Sequence, residues 1–325
     1  MEDRKFIEVT NLKKYFVARK SLLHQKTEYV KAVDDISFNI NRGETFGLVG
    51  ESGCGKSTVA RTIIRLYDPT SGSIKMDGVE IGTLSRKNLK PYRQKIQMIF
   101  QDPYASLDPR MTIKQIIEEP LDTHRICEKS QHIERIVNVL ELVGMGAHHL
   151  ERYPHEFSGG QRQRIGIARS LIAEPEFVIC DEPISALDVS IQAQVVNMLQ
   201  DLQEKMGLTY LFIAHDLAMV KYISKRMGVM YLGQLVELAP SNKLYKNPLH
   251  PYTQGLLSSI PVPDPRRSAN KAEVYLDGEI PSPLNPPSGC RFRTRCKYSK
   301  KMCAEISPSL KQVDLEHYVS CHLFE

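Results

Sequence analysis

Eight residues, Gly50, Glu51, Ser52, Gly53, Cys54, Gly55, Lys56 and Ser57, constrain this chain more than any other stretch of it. They fit the spacing G-x4-G-K-[ST], with an apolar run at 45–49 before them and a helical pattern at 56–66 after them. The glycines let the backbone turn where a side chain would obstruct it, so successive N–H groups and a helix N-terminus can face one anion. Lys56 supplies charge to the β and γ phosphates of a nucleotide, and Ser57 offers a hydroxyl to Mg2+. Thr58 adds a donor in the same turn, and Gly50, Ser52, Gly53, Cys54 and Gly55 line the phosphates. A loop of this kind needs a buried strand on one side and a helix on the other.

The rest of the chain supplies both. Apolar, β-branched runs at 7–9, 36–40, 46–49, 96–100, 177–180 and 210–213 predict strands. Helical patterns at 56–66, 133–143, 160–172 and 191–205 alternate with them, the last following a Ser190 N-cap, and this order predicts an α/β domain with a mostly parallel sheet. The part from about 112 to 149 lacks strand signals and reads as a helical insertion. After Ala239 prolines crowd in, among them Pro240, Pro248, Pro251, Pro261, Pro263 and Pro265, which suggests an extended linker and a small irregular appendix. The formal charge of +5, from 43 Lys and Arg against 38 Asp and Glu, is too mild to argue for nucleic acid. No segment is apolar for long enough to span a bilayer, and the N-terminus carries no signal run, so a cytoplasmic chain with reduced thiols is expected.

A glycine-rich phosphate loop serves kinases, GTPases, helicases and transporter ATPases alike, so the second half of the chemistry must separate them. The run Phe177, Val178, Ile179, Cys180, Asp181 and Glu182 describes a buried strand delivering two carboxylates at its C-terminal edge. Asp181 suits Mg2+, directly or through water, and Glu182 suits the general base that polarises the attacking water. Ser158, Gly159, Gly160 and Gln161 open a long helix with exposed donors; they read either as a second anion site or as a serine N-cap followed by flexible glycines.

The ordered set of glycine loop, Gln101 after a strand, 158–161, Asp181 with Glu182, Ser185 to Asp188, and His215 after another strand resembles the ABC transporter ATPases over about residues 7–240. The resemblance implies a P-loop NTPase fold with a mostly parallel sheet, an antiparallel β region and a helical subdomain at about 112–172. It implies ATP and Mg2+ as ligands, Gln101 as γ-phosphate sensor and Mg2+ contact, and His215 on the γ-phosphate, orienting Glu182. It further implies that Ser158, Gly160 and their neighbours close over a nucleotide held by a second ATPase subunit, with Asp188 at the seam. An aromatic residue should stack on adenine; Phe16 is preferred by position, with Tyr15 as the alternative.

Finer likeness lies in 101–112, 152–157 and 247–257, which resemble the oligopeptide and dipeptide importer ATPases, in particular the second of the two ATPase subunits of such systems. Expected partners are a paralogous ATPase subunit, two membrane permease subunits and, indirectly, an extracytoplasmic substrate-binding protein, at the cytoplasmic face of the membrane. Importers of nickel or other small solutes, and a soluble ABC ATPase, are the alternatives. The chain then divides into a nucleotide-binding domain at 1–240, a linker at 241–280 and a four-cysteine extension at 281–325.

Cys290, Cys296, Cys303 and Cys321 are spaced C-x5-C-x6-C-x17-C. Four thiols in a short, proline-rich segment of a reducing compartment point to a metal site rather than disulfides. The gaps are wider than the close cysteine pairs of structural zinc and better suited to an iron–sulfur cluster, and the resemblance implies [4Fe–4S]. Zinc, with His317 and His322 as substitute ligands, is the other reading. Arg291, Arg293, Arg295, Lys297, Lys300 and Lys301 would offset an anionic cluster, or form a solvated basic face.

Overall fold

The computed structural model describes residues 5–20, 27–259 and 278–324. Pro261, Pro263 and Pro265 of the expected linker lie outside them. The first half runs β1 (Lys5–Lys20), β2 (Thr27–Asn41), β3 (Thr45–Val49), α1 (Lys56–Ile63), β4 (Ser71–Met76), β5 (Val79–Glu80), α2 (Arg86–Lys95), β6 (Ile96–Ile99), α3 (Ile113–His124) and α4 (His132–Leu142). It continues through α5 (Gly159–Leu171), β7 (Phe177–Asp181), α6 (Val189–Met206), β8 (Thr209–Ile213), α7 (Leu217–Ile223), β9 (Arg226–Tyr231), β10 (Gln234–Pro240), α8 (Ser241–Lys246), α9 (Pro251–Ser258), α10 (Met302–Glu305), β11 (Lys311–Asp314) and β12 (His317–Val319). The chain forms two compact units, one from 1–5, 40–45 and 83–213, the other from 6–39, 46–82 and 214–325.

In the first unit β6, β7 and β8 are parallel, with Ile96 beside Phe177, Cys180 beside Phe212 and Asp181 beside Ile213. Every residue of β7 and β8 is buried. Strands covered on both faces read as unbroken apolar runs, which is why 177–180 and 210–213 were legible as strands. Helix α3 opens with a capping box, Thr112 Oγ1 accepting from the Gln115 N–H and Gln115 Oε1 from the Thr112 N–H, and it buries Ile113, Ile116, Ile117 and Leu121. Helix α6 starts earlier than its spacing predicts: Asp188, not Ser190, is the N-cap. Turns closed by Ser185 N–H on Glu182 O and Leu187 N–H on Ile184 O already bring the chain into helical direction there.

In the second unit β2, β1, β4 and β5 form an antiparallel sheet, with Ile7 opposite Met76 and Val9 opposite Ile74. Strand β3 pairs parallel with β9, which continues antiparallel into β10, β12 and β11. The stretch after Ala239 is therefore less irregular than its prolines suggest. Pro251 stands in the first turn of α9, where its missing N–H is no loss, and His250 caps that helix by accepting from the Tyr252 N–H at 3.0 Å. The last residues add β12 to the edge of β10, Glu237 opposite Val319, because that edge offers unpaired backbone groups and Val319 has apolar neighbours to bury against. No helix among the described residues is long and apolar enough to cross a membrane.

Candidate active site

The glycine loop lies in the second unit and follows β3 directly. Gly50 and Gly55 have φ of 150° and 111°, and a Cβ would stand 2.3 Å from Met230 O at the first and 2.2 Å from Ala32 O at the second, so both must be glycine. The Cys54 N–H donates to Glu51 O at 3.2 Å, and the Gly233 N–H of the β9–β10 turn donates to Cys54 O at 2.8 Å, which fixes the loop from both sides. Gly55 is the N-cap of α1 and makes no side-chain capping bond. Lys56 is 3% exposed and folds over the loop, with Nζ 2.7 Å from Gly50 O and 3.1 Å from Glu51 O. Ser57 and Thr58 sit half-buried in that first turn, while Ser52 and Gly53 are exposed at the tip. Burial pushes the Cys54 thiol pKa up, so this cysteine serves as a small neutral packing residue. Donors, a helix N-terminus and one held cation converge, which is the chemistry of a polyphosphate cradle.

Phe16 and Tyr15 are on β1 of the same unit and point to opposite faces. The Tyr15 hydroxyl is bonded to Asp34, and burial, then that bond, hold it well above the usual phenol pKa range. Phe16 is half-buried, edge-on to Tyr67 at 5.2 Å. His215 is exposed in the turn before α7, next to Asp216, whose Oδ1 caps that helix from the Ala218 N–H at 2.8 Å.

The first unit carries the acidic half. Asp181, the last residue of β7, is 1% exposed. Glu182 follows with φ 48°, a conformation that costs a residue with a side chain about 1–3 kcal/mol. Its N–H still donates to Ile213 O at 2.9 Å, so the ladder extends by one bond while the strand direction is broken. The carboxylate then meets Gln101, two residues beyond β6, whose Nε2 donates to Glu182 Oε2 at 2.7 Å. Two candidates separated by 81 positions are thus in direct contact. Ser158 caps α5 in a full capping box with Gln161, Ser158 Oγ accepting from the Gln161 N–H at 3.3 Å and Gln161 Oε1 from the Ser158 N–H at 3.0 Å. Both residues are exposed. A Cβ on Gly160 would lie 2.7 Å from Ile191 Cγ2, so that glycine also lets α6 approach α5. Asp188 is exposed and makes no capping bond to its own helix.

The sequence profile of the ABC transporter family matches residues 33–185, and that of the oligopeptide/dipeptide transporter C-terminal region matches 236–303. Over 98% of this chain and 97% of the relative, 54% of positions are identical to the oligopeptide transport ATP-binding protein AppF of Bacillus subtilis. The oligopeptide transport ATP-binding protein OppF of the same organism is 59% identical over 85% of this chain and 89% of its own. The chain belongs to the oligopeptide and dipeptide transport branch of the ABC ATPases. Its fold is that of the ATP-binding cassette MJ0796, solved as a post-hydrolysis dimer bound to ADP and Pi, with TM-score 0.64 and 25% identity over 72% of this chain and 98% of that one.

In this ABC ATPase the branch-specific C-terminal part brings its cysteines together. Cys290, Cys296, Cys303 and Cys321 line one pocket, walled by Pro251, Phe292, Tyr298 and Leu323, with Arg293 and Lys300 at its edge. The Cys290 thiol is pushed up to about 11, by burial first and then by the other three cysteines; burial likewise raises Cys296 and Cys321. All four cysteines are half-buried. Of the two histidines weighed as zinc ligands, His317 has its Nε2 2.7 Å from Glu237 Oε1, while His322 lines the cysteine pocket with its Nε2 2.9 Å from Ile306 O. Nor are all six basic residues of this segment a solvated face. Arg291 and Arg295 are buried against Asp34 and Glu51, contacts that bridge 257 and 244 positions and leave no trace in local pattern.

Proposed function

We infer that this chain binds and hydrolyses ATP and that the hydrolysis powers import of peptides through membrane permease subunits. The observation that carries this is identity above one half, over nearly the whole chain, to proteins named for oligopeptide transport. The placement of the candidate residues supports this reading. Gly50, Ser52, Gly53, Cys54, Gly55 and Thr58 cradle the phosphates, and Lys56, already desolvated, exchanges its bonds to the loop carbonyls for the phosphates and neutralises them. Phe16 stacks on adenine, since the Tyr15 hydroxyl is held by Asp34. Glu182 accepts a proton from water, and Gln101 holds that carboxylate in place. His215 orients the same water and phosphate.

Mg2+ would be held by Ser57 and Asp181, with Gln101 as a further contact, and would draw charge off the β and γ phosphates. Ser158, Gly159, Gly160, Gln161 and Asp188 face a second ATPase subunit, a paralogue in this reading; the exposure of Ser158, Gln161 and Asp188 suits a surface completed by a partner. Tyr104, 64% exposed and stacked beneath by the Arg162 guanidinium at 3.5 Å, and Arg110 form the surface offered to the permease. An extracytoplasmic binding protein enters only through that permease, and the ATPase works at the cytoplasmic face. Residues 1–240 serve as the cassette and 281–325 as the extension, whose four cysteines hold a [4Fe–4S] cluster that contributes folding stability.

The deciding experiment compares ATP turnover and labelled-peptide uptake for the membrane-extracted assembly with wild-type chain and with Glu182→Gln. Collapse of both supports the reading. Normal peptide uptake without this chain, together with lost uptake of nickel or another solute, would move the cargo assignment. Purification without oxygen should give a brown, iron- and sulfide-containing protein; a colourless one containing zinc contradicts the cluster.

A further inference from the structure

Between Cys290 and Cys296 the chain places three arginines, two of which, Arg291 and Arg295, reach the phosphate loop or its support. Arg295 grips Glu51, the second residue of the loop, with Nη1 and Nη2 at 2.8 and 3.1 Å from the two carboxylate oxygens. Its side chain is 5% exposed and lies over the rings of Tyr231 and Phe292, 5.8 and 6.0 Å from their centroids. Glu51 is a hub: its N–H donates to Tyr252 Oη at 2.9 Å, and its carbonyl accepts from Cys54 N–H and Lys56 Nζ. Arg291 bonds Asp34 and the carbonyl of Leu232, next to Gly233, whose N–H holds Cys54 O. One short segment therefore touches the loop system at two points.

A carboxylate inside a loop built for polyphosphate opposes its ligand unless something neutralises it. A bidentate guanidinium does so and also fixes the main chain that carries the carboxylate. We propose that residues 290–296 are a brace for the phosphate loop, with Arg295 a positioning residue for nucleotide binding, so that the state of the cysteine pocket is coupled to ATP affinity. This rests on the reading of the loop as a nucleotide site. The coupling is reciprocal: whatever seats the cysteines tightens nucleotide binding, and nucleotide in turn steadies the pocket.

The test is the affinity of the full chain for a fluorescent ATP analogue, in five variants besides wild type. Arg295→Ala should bind about ten- to a hundredfold more weakly, as truncation of one member of a buried charge pair does. Arg295→Lys, which keeps the charge and loses the fork, should fall between. Glu51→Gln combined with Arg295→Ala should recover most of the loss, because no bare carboxylate then faces the phosphates. Cys303→Ser should weaken binding, and Cys303→Ser with Arg295→Ala should be no weaker than the worse single change. Wild-type affinity in Arg295→Ala overturns the brace, as does a Glu51→Gln, Arg295→Ala chain as weak as Arg295→Ala, or fully additive effects of Cys303 and Arg295. A wild-type chain that binds no nucleotide overturns the ATPase reading itself, and the brace with it.

Discussion

Gln101 donates a hydrogen bond from Nε2 to Oε2 of Glu182 across 2.7 Å, and Glu182 reaches it only by adopting a left-handed backbone at φ 48°. The strain ends β7 and aims the carboxylate at the neighbouring strand's loop, so the residue read as general base and the residue read as sensor share one contact. Glu182→Gln should lower ATP turnover by about a hundredfold or more, the scale of general-base catalysis, with nucleotide affinity retained. Gln101→Ala should give a smaller loss in kcat with KM little changed. Steady-state kinetics on the assembled transporter read both, and equal losses in the two variants would contradict the division of roles.

Gly55→Ala places a Cβ against Ala32 O at 2.2 Å and imposes φ 111° on a residue that resists it. Loss of nucleotide binding is expected together with destabilisation of about 1–3 kcal/mol. Calorimetric unfolding with and without ATP separates the two effects, since a variant that still gains stability from ATP would show the cradle intact.

Phe16→Ala should weaken ATP binding several-fold, in line with about 0.5–1.5 kcal/mol for an aromatic stack. Unchanged affinity would remove Phe16 from the adenine site.

His250 is buried, and burial, partly offset by Glu237, lowers its pKa from 6.5 to about 4. The unfolded chain takes up this proton below 6.5 while the folded chain does not until about 4, so stability is full above pH 6.5 and falls as pH drops through that window. The difference is on the order of 3 kcal/mol. Urea unfolding at pH 7.5 and pH 5 reads it, and His250→Asn, which retains a capping acceptor for the Tyr252 N–H, should flatten the dependence.

Arg110 has a side chain 87% exposed and pairs with Asp108 within its own loop at 2.9 Å. Arg110→Glu should lower peptide transported per ATP hydrolysed, measured in proteoliposomes carrying the permease. An unaltered ratio would place permease docking elsewhere.

What the sequence determined by itself are the features set by near neighbours. The glycine loop needed a strand before it and a helix after it, and β3 and α1 flank it. The unbroken apolar runs of β7 and β8 reflect burial on both faces. Ser158 and Gln161 stand three apart, and both functions read for them, cap and exposed donor, are compatible with one geometry. What the tertiary structure decided are the pairings that span the chain. Pro251 reads from the sequence as part of an extended linker, and only the fold places it in the first turn of α9; the last strands join a sheet only because β10 presents an edge. The contact of Gln101 with Glu182, and the grip of Arg295 on Glu51, join residues 81 and 244 positions apart. Local spacing carries no record of such partners, because a charge 244 positions away imposes no periodicity on the residues around it; only the path of the folded chain turns a cysteine-rich segment into a neighbour of the phosphate loop.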